Sequence, residues 1–381
     1  MKFIHLGDIH LGKSLNDFDM SKDQQFILAQ ILDIADEKGV DAVLIAGDVY
    51  DKSVPSETAT KLLDWFLNEL INREKKVFMI SGNHDSDERL NYGSRVFRSR
   101  GVYISAKYDG EIHKETLTDG FGEVDIWMLP FVKASQVRHF LPKEKTDTYD
   151  EAVRAALSRA DVDPEKRNII LSHQFVAGKS TDPELAGSEG LGTKSVGTVE
   201  KIGYDCFDAF DYAALGHIHS PQSVGRKEVR YSGSPLKYSL SEVENEKSVP
   251  VVTMGKKGDV SIELVKLHPM RDMRHLKGPI EKLTDKENVV DAEDFIYVTL
   301  TDEDIINDAM EILQRVYPNT VKLDYENSRT GSGKEKKIEV KQTQNRSLDE
   351  MFGDFYKKMY GCEIGQEELD LLMETAKEEG L

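Results

Sequence analysis

The chain has 381 residues, of which 39% are hydrophobic and 31% charged, and its formal net charge is −19. These values describe a globular protein large enough for two or three domains, and they exclude a fibrous or largely disordered chain. Every apolar run is shorter than the roughly 20 residues that cross a bilayer, and we expect no signal peptide. Only Cys206 and Cys362 are present, which excludes a disulfide framework and indicates a reducing cytoplasm.

A strongly acidic chain argues, taken alone, against nucleic acid as a partner. Bound divalent cations would neutralise some of the carboxylates, however, and the basic residues are clustered. Three clusters follow polar motifs: Arg89, Arg95, Arg98, Arg100 and Lys107; Lys133, Arg138, Lys143 and Lys145; Arg226, Lys227, Arg230 and Lys237. Each is either a solvated surface or a nucleic-acid contact, with Arg89, Arg95, Arg226 and Lys227 as candidate DNA contacts.

Residues 1–105 alternate between short apolar runs and amphipathic segments. The pattern predicts a helix over 21–38 that ends at Gly39, and a second helix that Ser56 caps. Alternation of strand and helix predicts parallel pairing. After residue 105, the runs 111–116 and 123–129 resemble adjacent strands, 149–160 is helical, and several short strands follow. We therefore expect an α/β fold, a pair of mixed sheets with helices outside, up to about residue 268.

A smaller α+β pattern follows a connector at His268 and Pro269. It consists of predicted strands at 295–300 and 321–325 around a predicted helix at 305–317. Residues 328–337 are predicted to form a loop, and two apolar helix faces follow. The expected domains are 1–268, 269–345 and 346–381.

Five short apolar runs end in residues that can bind metals. The ligand candidates are Asp8 and His10, Asp48, Asn83, His173, and His217 with His219; His84 and Asp85 follow Asn83 directly. Such runs are typical of buried strands, and ligands bind beyond the carboxyl ends of strands in open α/β sheets. The side chains of Asp8 and His10 would share a direction if the backbone stays extended. This set predicts a two-metal site with Asp48 as the bridge.

Each motif also has an ordinary structural interpretation. A Gly-Asp pair after a strand is often a turn, a lone histidine is often a hydrogen-bonded core residue, and the motif at 82–85 could be a hairpin turn. Five such motifs in the same context favour the metal site. Asp51 either helps to orient a ligand or a substrate from behind the metal ligands, or it simply caps its turn. The stretch 187–195 lacks the spacing of a phosphate-binding loop.

At these residues the sequence resembles the calcineurin-like metallophosphoesterase superfamily. The resemblance implies a four-layer α/β/β/α sandwich. It assigns Asp8, His10, Asp48 and His219 to one metal, and Asp48, Asn83, His173 and His217 to the other. It also implies that His84 is the acid that approaches the leaving oxygen, with Asp85 orienting it.

A narrower resemblance, to the SbcD nuclease family, rests on two strings. These are Gly-Asp-Val-Tyr-Asp at 47–51 followed by Pro55, and Tyr-Ser-Gly-Ser-Pro-Leu at 231–236. It implies a Mn²⁺-dependent nuclease of DNA repair and recombination, with 3′–5′ exonuclease action on duplex ends and endonuclease action on single strands and hairpins. The implied partners are DNA, an SbcC-like coiled-coil ATPase held by residues 346–381, and a second copy of the chain. For the dimer, the early helices and residues 86–92 are the candidate interface.

Two other functions remain open at this point. The same metals would serve a phosphoesterase that acts on phosphoproteins or small phosphodiesters. A non-enzymatic scaffold with a degenerate site is the third hypothesis, although no ligand position is missing.

Overall fold

The structure, a computed structural model, describes residues 1–178, 182–185 and 201–327, together with Gly365 and Leu369. The chain divides into two compact units, Met1–Tyr325 and Glu326–Leu381. The predicted loop at 328–337 and the stretch 187–195 lie outside the described residues, as do the two predicted helices of 346–381 apart from Gly365 and Leu369. None of the described helices is long and apolar enough to cross a membrane.

The first part of the chain alternates strands and helices as predicted. Its elements are β1 (Lys2–Leu6), β2 (Ser14–Leu15), β3 (Phe18–Asp19), α1 (Ser21–Glu37), β4 (Ala42–Ala46), α2 (Glu57–Asn72), β5 (Lys76–Ile80), α3 (Asp87–Leu90), α4 (Ser94–Arg98) and β6 (Val102–Ser105). Gly39 follows α1 with a φ of 61°, which suits the end of a helix. Ser56 caps α2, since its side chain accepts a hydrogen bond from the amide of Ala59.

The middle of the chain begins with a hairpin and continues with helices and short strands. Its elements are β7 (His113–Asp119), β8 (Gly122–Leu129), α5 (Ala134–Phe140), α6 (Tyr149–Arg159), β9 (Arg167–His173), β10 (Val176–Ala177), β11 (Ile202–Gly203), β12 (Tyr212–Gly216), β13 (Gln222–Val224), β14 (Arg226–Tyr231), β15 (Ser248–Met254) and β16 (Val260–Lys266). Single 3₁₀ turns occur at Tyr204–Phe207 and Leu240–Glu242.

Two six-stranded mixed sheets form the body of the fold, in the orders β16-β15-β1-β4-β5-β6 and β13-β14-β12-β9-β8-β7. The runs β1-β4-β5-β6 and β14-β12-β9-β8 are parallel. One apolar core lies between the sheets and includes Phe3, Phe78 and Tyr212. Further cores contain residues of α1 and α2 with the first sheet, and of α6 with the second. The expected α/β sandwich is thereby confirmed.

A smaller group of strands and helices follows the sandwich within Met1–Tyr325, and we call it the small unit. It consists of β17 (Met273–Gly278), α7 (Ile280–Thr284), β18 (Phe295–Leu300), α8 (Ala309–Gln314) and β19 (Thr320–Tyr325). The three strands form one parallel sheet in the order β17-β18-β19. The helix predicted over 305–317 is shorter, because Asp308 has a left-handed φ of 54° directly before it. Strand β17 was not predicted, since three of its four interior residues are Arg274, His275 and Lys277, and only its two ends are buried.

The small unit packs on α1 and the loop before it. Arg271 forms an ion pair with the buried Asp23, and the Asn16 side-chain amide donates to the Val321 carbonyl oxygen at 2.7 Å. The rings of Phe18 and Phe295 meet edge to face, 6.2 Å apart. An ion pair to a buried carboxylate and an aromatic contact therefore join the small unit to the sandwich.

Candidate metal centre

All five ligand motifs lie at the carboxyl ends of parallel strands, namely β1, β4 and β5 of the first sheet and β9 and β12 of the second. The two sheets come very close together there. A Cβ at Gly47 would lie 2.4 Å from the Nδ1 of His173, and one at Gly216 would lie 2.0 Å from the Ala46 carbonyl oxygen. Glycine at both positions is what allows ligands from the two sheets to meet.

Four of the ligand residues have left-handed backbone conformations. Their φ angles are 54° at Asp8, 48° at His10, 48° at Asp48 and 98° at His217. The idea that Asp8 and His10 share a direction through an extended backbone is therefore wrong, because both residues turn out of the strand path. Such conformations cost free energy in non-glycine residues, and they concentrate at functional sites.

Asp8, His10 and His219 form what we call the buried half of the site. Their side chains are at most 2% exposed, and one ligand atom from each lies within 4.8 Å of the others. The Nε2 atoms of His10 and His219 are 3.1 Å apart. Burial raises the pKa of Asp8 to about 6, although its oxygens accept from the His217 amide at 2.9 and 3.1 Å.

Asp48 lies between the buried half and the ligands from the other strands. Its Oδ2 is 3.6 Å from the Nε2 of His10 and 3.3 Å from the Nε2 of His173. Its Oδ1 accepts a hydrogen bond of 2.9 Å from the amide of His84. One carboxylate oxygen thus faces histidines of both sets, as a bridging ligand must.

Asn83, His173 and His217 form the open half. The Asn83 Oδ1 is 3.1 Å from the Nε2 of His173 and 2.9 Å from the Nδ1 of His217. His173 is fully buried, His217 is half-buried and Asn83 is exposed. The Nδ1 of His173 is 2.7 Å from the Ala46 carbonyl oxygen and donates to it, so its Nε2 is left to bind an ion.

The chemistry of this donor set fits divalent ions. Within the described part of the chain, Asp48 pairs with histidines, and neither Asp8 nor Asp48 pairs with lysine or arginine although both are buried. Buried carboxylates need a cation. Burial lowers the pKa of His173, but the Asp48 carboxylate outweighs it and raises the pKa to about 9. Nitrogen and oxygen donors bound about 2.1 Å from one ion lie roughly 3 Å apart, as several do here.

Comparison with known proteins supports this interpretation. Residues 1–221 match the model of the calcineurin-like phosphoesterase family, and residues 269–360 match that of the "type 5 capsule protein repressor C-terminal domain". The SbcD subunit of the SbcCD nuclease of Staphylococcus epidermidis is 32% identical over 379 residues, which cover 97% of this chain and 96% of that protein. The chain belongs to the SbcD family of calcineurin-like phosphoesterases.

A solved structure, a dimetal phosphatase from Danio rerio, is 12% identical and has a TM-score of 0.41. The match covers 71% of this chain and 98% of that one. As a member of the SbcD family, the chain is a hydrolytic nuclease of the metallophosphoesterase type.

His84 and Asp85 have different contacts from those expected. The Nδ1 of His84 lies 2.9 Å from the carbonyl oxygen of Asp51, to which it donates. The Asp85 carboxylate instead accepts from three backbone amides, at 3.1 Å from Val49, 2.9 Å from Tyr50 and 2.9 Å from Gly82. Asp85 therefore does not orient His84: it ties the loop after β4 to the loop after β5. Burial, with Asp48 nearby, raises its pKa to about 6.

Asp51 does more than cap a turn. Its carbonyl oxygen holds His84, and its Oδ1 lies 3.6 Å from the Nδ1 of His10 and 2.7 Å from the Nζ of Lys13. The His10 Nδ1 is buried and has no hydrogen-bond partner among the described residues. The interpretation that Asp51 only caps its turn is therefore too limited. The position of its carboxylate beside His10 fits the other interpretation, in which Asp51 orients a ligand from behind.

The candidate DNA contacts fall into two groups. Arg89 and Arg95 are exposed on α3 and α4, in the segment that follows Asn83. Arg226 donates to the carbonyl oxygens of Phe207 at 3.0 Å and Phe210 at 2.6 Å, so its role is structural. Arg226 and Lys227 begin β14, which runs parallel to β12, and the ligand rim lies at the other end of these strands. Both therefore lie away from the metal centre, and Arg226, whose guanidinium binds carbonyl oxygens, is wrong as a candidate DNA contact.

Residues behind the buried half were missed in the sequence. The Gln24 side-chain amide donates to the His10 carbonyl oxygen at 2.7 Å, and the Tyr238 hydroxyl donates to that of Ile9 at 2.5 Å. The Tyr238 ring meets the rings of His10 and His219 edge to face. In the sequence, only the motif at 231–236, which carries the resemblance to the SbcD family, pointed to this region. It assigned no role to the residues that follow it.

Proposed function

We propose that the chain cleaves phosphodiester bonds of DNA with two bound divalent ions, most favourably Mn²⁺. The observation that carries the proposal is the pair of buried carboxylates, Asp8 and Asp48, surrounded by histidine nitrogens and an amide oxygen. The name of the Staphylococcus epidermidis relative, a nuclease subunit, supports the polymer substrate. As in the family that the sequence resembles, the expected actions are 3′–5′ cleavage of duplex ends and endonucleolytic cleavage of single strands and hairpins.

The residues would be divided between the ions as follows. Asp8, His10, Asp48 and His219 would hold one ion, and Asp48, Asn83, His173 and His217 the other. When bound, such a pair of ions supplies an activated water and stabilises the entering and leaving oxygens at phosphorus. Asp48 fixes the spacing of the two sets, because its Oδ2 faces histidines of both.

His84 is proposed to protonate the leaving oxygen. A carbonyl can only accept, so the contact with Asp51 keeps one proton on the Nδ1 of His84. The proton for the leaving oxygen would therefore come from the Nε2 of the imidazolium form, which becomes the neutral Nδ1–H imidazole. The ring centroid lies 4.8 Å from that of His10, beside the donor set. The half-buried side chain can reach a bound phosphate and also exchange protons with solvent.

A substrate comparison tests this function. The chain, stripped of metal and reloaded with Mn²⁺, is given linear duplex DNA, hairpin DNA, a nitrophenyl phosphodiester and a phosphopeptide. We expect cleavage of DNA at concentrations where the phosphopeptide is untouched, with Mg²⁺ and Zn²⁺ as metal comparisons. Phosphopeptide hydrolysis that exceeds DNA cleavage would favour the alternative phosphoesterase, and a chain that binds no metal would favour a scaffold.

We further propose the domain roles 1–268 for cleavage, 269–345 for capping and DNA binding, and 346–381 for an SbcC-like ATPase. The name of the Staphylococcus epidermidis relative describes that protein as one subunit of a complex. The presence of only two cysteines favours the cytoplasm as the location of this chain. A chain without residues 346–381 should keep its Mn²⁺-dependent nuclease activity and fail to co-purify with the ATPase. Undiminished association of the truncated chain would contradict the assignment.

A homodimer through the nuclease domain is proposed on the surface around α4. Tyr92 and Val96 are 84% and 71% exposed, and they border a cavity of about 380 Å³ whose lining includes Leu63 and Leu67 of α2. Large exposed apolar side chains beside such a cavity are typical of an interface. Tyr92→Arg with Val96→Arg should give a monomer in light scattering. Ile305→Arg, at an equally exposed apolar position in the small unit, should remain a dimer.

A further inference from the structure

A buried ion pair lies directly behind the ligand His219. Glu242 closes the 3₁₀ turn Leu240–Glu242 and is 0% exposed, and Lys247 is 5% exposed. The Lys247 ammonium donates to the Glu242 Oε2 at 2.5 Å. Burying two charges costs more solvation than their attraction usually returns, so stability alone is a weak reason for this pair.

The pair holds His219 from two sides. The Glu242 Oε1 faces the Nδ1 of His219 at 3.6 Å, within ion-pair distance. The Lys247 Nζ donates to the main-chain oxygen of His219 at 2.9 Å, and to the Ser234 hydroxyl at 2.8 Å. The amide of Ser234 donates to the same His219 oxygen at 3.1 Å. Both the ring and the backbone of this ligand are thus fixed by one buried network.

The arrangement determines which nitrogen of His219 is available. A carboxylate beside Nδ1 favours the proton there, and the Nε2 lone pair is then left on the side where the His10 Nε2 lies, 3.1 Å away. His173, in the open half, has a neutral partner instead, the Ala46 carbonyl oxygen. A charged partner makes an imidazole a stronger ligand than a neutral one does.

We propose that Glu242, held in place by Lys247, is a positioning residue that orients His219 and strengthens the ion site of the buried half. The inference rests on the proposed two-metal site and adds residues that lie outside the donor set. It predicts that the two ions bind with different affinities, and that loss of the Glu242 oxygen weakens only one of them.

Two double variants separate positioning from general stability. Glu242→Gln with Lys247→Met removes both charges but keeps an oxygen toward His219, whereas Glu242→Leu with Lys247→Met removes the oxygen as well. Neither leaves a lone buried charge. Asp119→Asn is the matched control: it weakens another ion pair, with Arg167 at the start of β9, remote from the ligand His173 at its end.

The affinity of the full chain for Mn²⁺ is measured by calorimetry, and the number of ions per chain by mass spectrometry. The melting temperature of each variant is measured with a chelator present. The Gln variant keeps an oxygen beside His219 but not its charge, so it should bind two ions and lose less affinity in the buried half than the Leu variant does. The Leu variant should lose about 10–100-fold in affinity at one site and keep the other, while Asp119→Asn should change melting without changing either affinity.

Equal affinities in the Gln and Leu variants would overturn the proposal, as would an equal loss at both sites. If the Leu variant does not fold, Glu242→Asp decides, because it keeps a carboxylate near Lys247 but withdraws it from His219; unchanged Mn²⁺ binding would then refute the role. An unmodified chain that binds no Mn²⁺ would instead refute the two-metal function itself.

Discussion

The buried half and the open half of the site contain similar donors in different surroundings. Asp8, His10 and His219 are enclosed, and a layer of buried polar side chains holds their rings and main-chain oxygens. In the open half, Asn83 is exposed and His217 half-buried. The difference indicates that the protein would determine the geometry of an ion in the buried half almost completely, and would leave an ion in the open half accessible to water and substrate.

Asp48 is the one residue whose loss should abolish this difference. Asp48→Ala removes the oxygen that faces both His10 and His173. We expect both ions to be lost and nuclease activity to fall by far more than the roughly 10–100-fold that a lost outer partner costs. Metal content by mass spectrometry and cleavage of linear duplex DNA measure this. Two ions per chain in the variant would contradict the bridging assignment.

The next largest effect should come from His84, which lies beside both halves but outside the donor set. His84→Ala should lower turnover by about 10²–10⁴-fold, the usual contribution of general-acid catalysis, and leave Mn²⁺ binding unchanged. Calorimetry and single-turnover cleavage separate the two properties. His113→Ala is the control, since that exposed histidine contacts Asp109 on the surface. Loss of metal from the His84 variant would make it a ligand instead.

The sequence was sufficient to place the candidate ligands at strand ends, but not to find the residues that support them. Buried parallel strands are continuous apolar runs, so strand ends, and the ligands that follow them, can be located from the pattern. The left-handed conformations of Asp8 and His10 cannot be predicted from the pattern, because neither residue is a glycine. Glu242 and Lys247 are residue types that usually lie on the surface, and only the fold brings them to His219.

The same limit explains why Arg226 and Asp85 were assigned wrongly. Arg226 belongs to a basic cluster in the sequence, but its guanidinium is used by two carbonyl oxygens. Asp85 follows His84 directly, but its carboxylate turns to the backbone amides of two loops. Proximity along the chain indicates which loop a residue belongs to; the direction of its side chain depends on tertiary contacts.

Single ligand replacements measure the difference between the halves. Asn83→Ala removes an exposed oxygen whose place water can take, so about 10-fold weaker binding of one ion is expected, and excess Mn²⁺ should restore activity. His219→Ala removes a nitrogen from an enclosed position and leaves Glu242 without its histidine, so restoration should fail. Activity is titrated against Mn²⁺ for both variants. Equal restoration would show that enclosure does not matter.

The smallest effects should distinguish the open side of the site from the remote end of β14. Arg89 follows Asn83 closely and is exposed, so Arg89→Ala should weaken DNA binding uniformly across sequences and reduce the slope of log affinity against log salt by about 1. Lys227 is equally cationic and 71% exposed, but it begins β14 at the end opposite the ligands. Lys227→Ala should therefore change neither the affinity nor the slope. Fluorescence anisotropy in the slowly cleaving His84→Ala background, at several salt concentrations, compares the two. A reduced slope in the Lys227 variant would mean that DNA extends along the whole second sheet, and the position of the substrate relative to the open half would have to be revised.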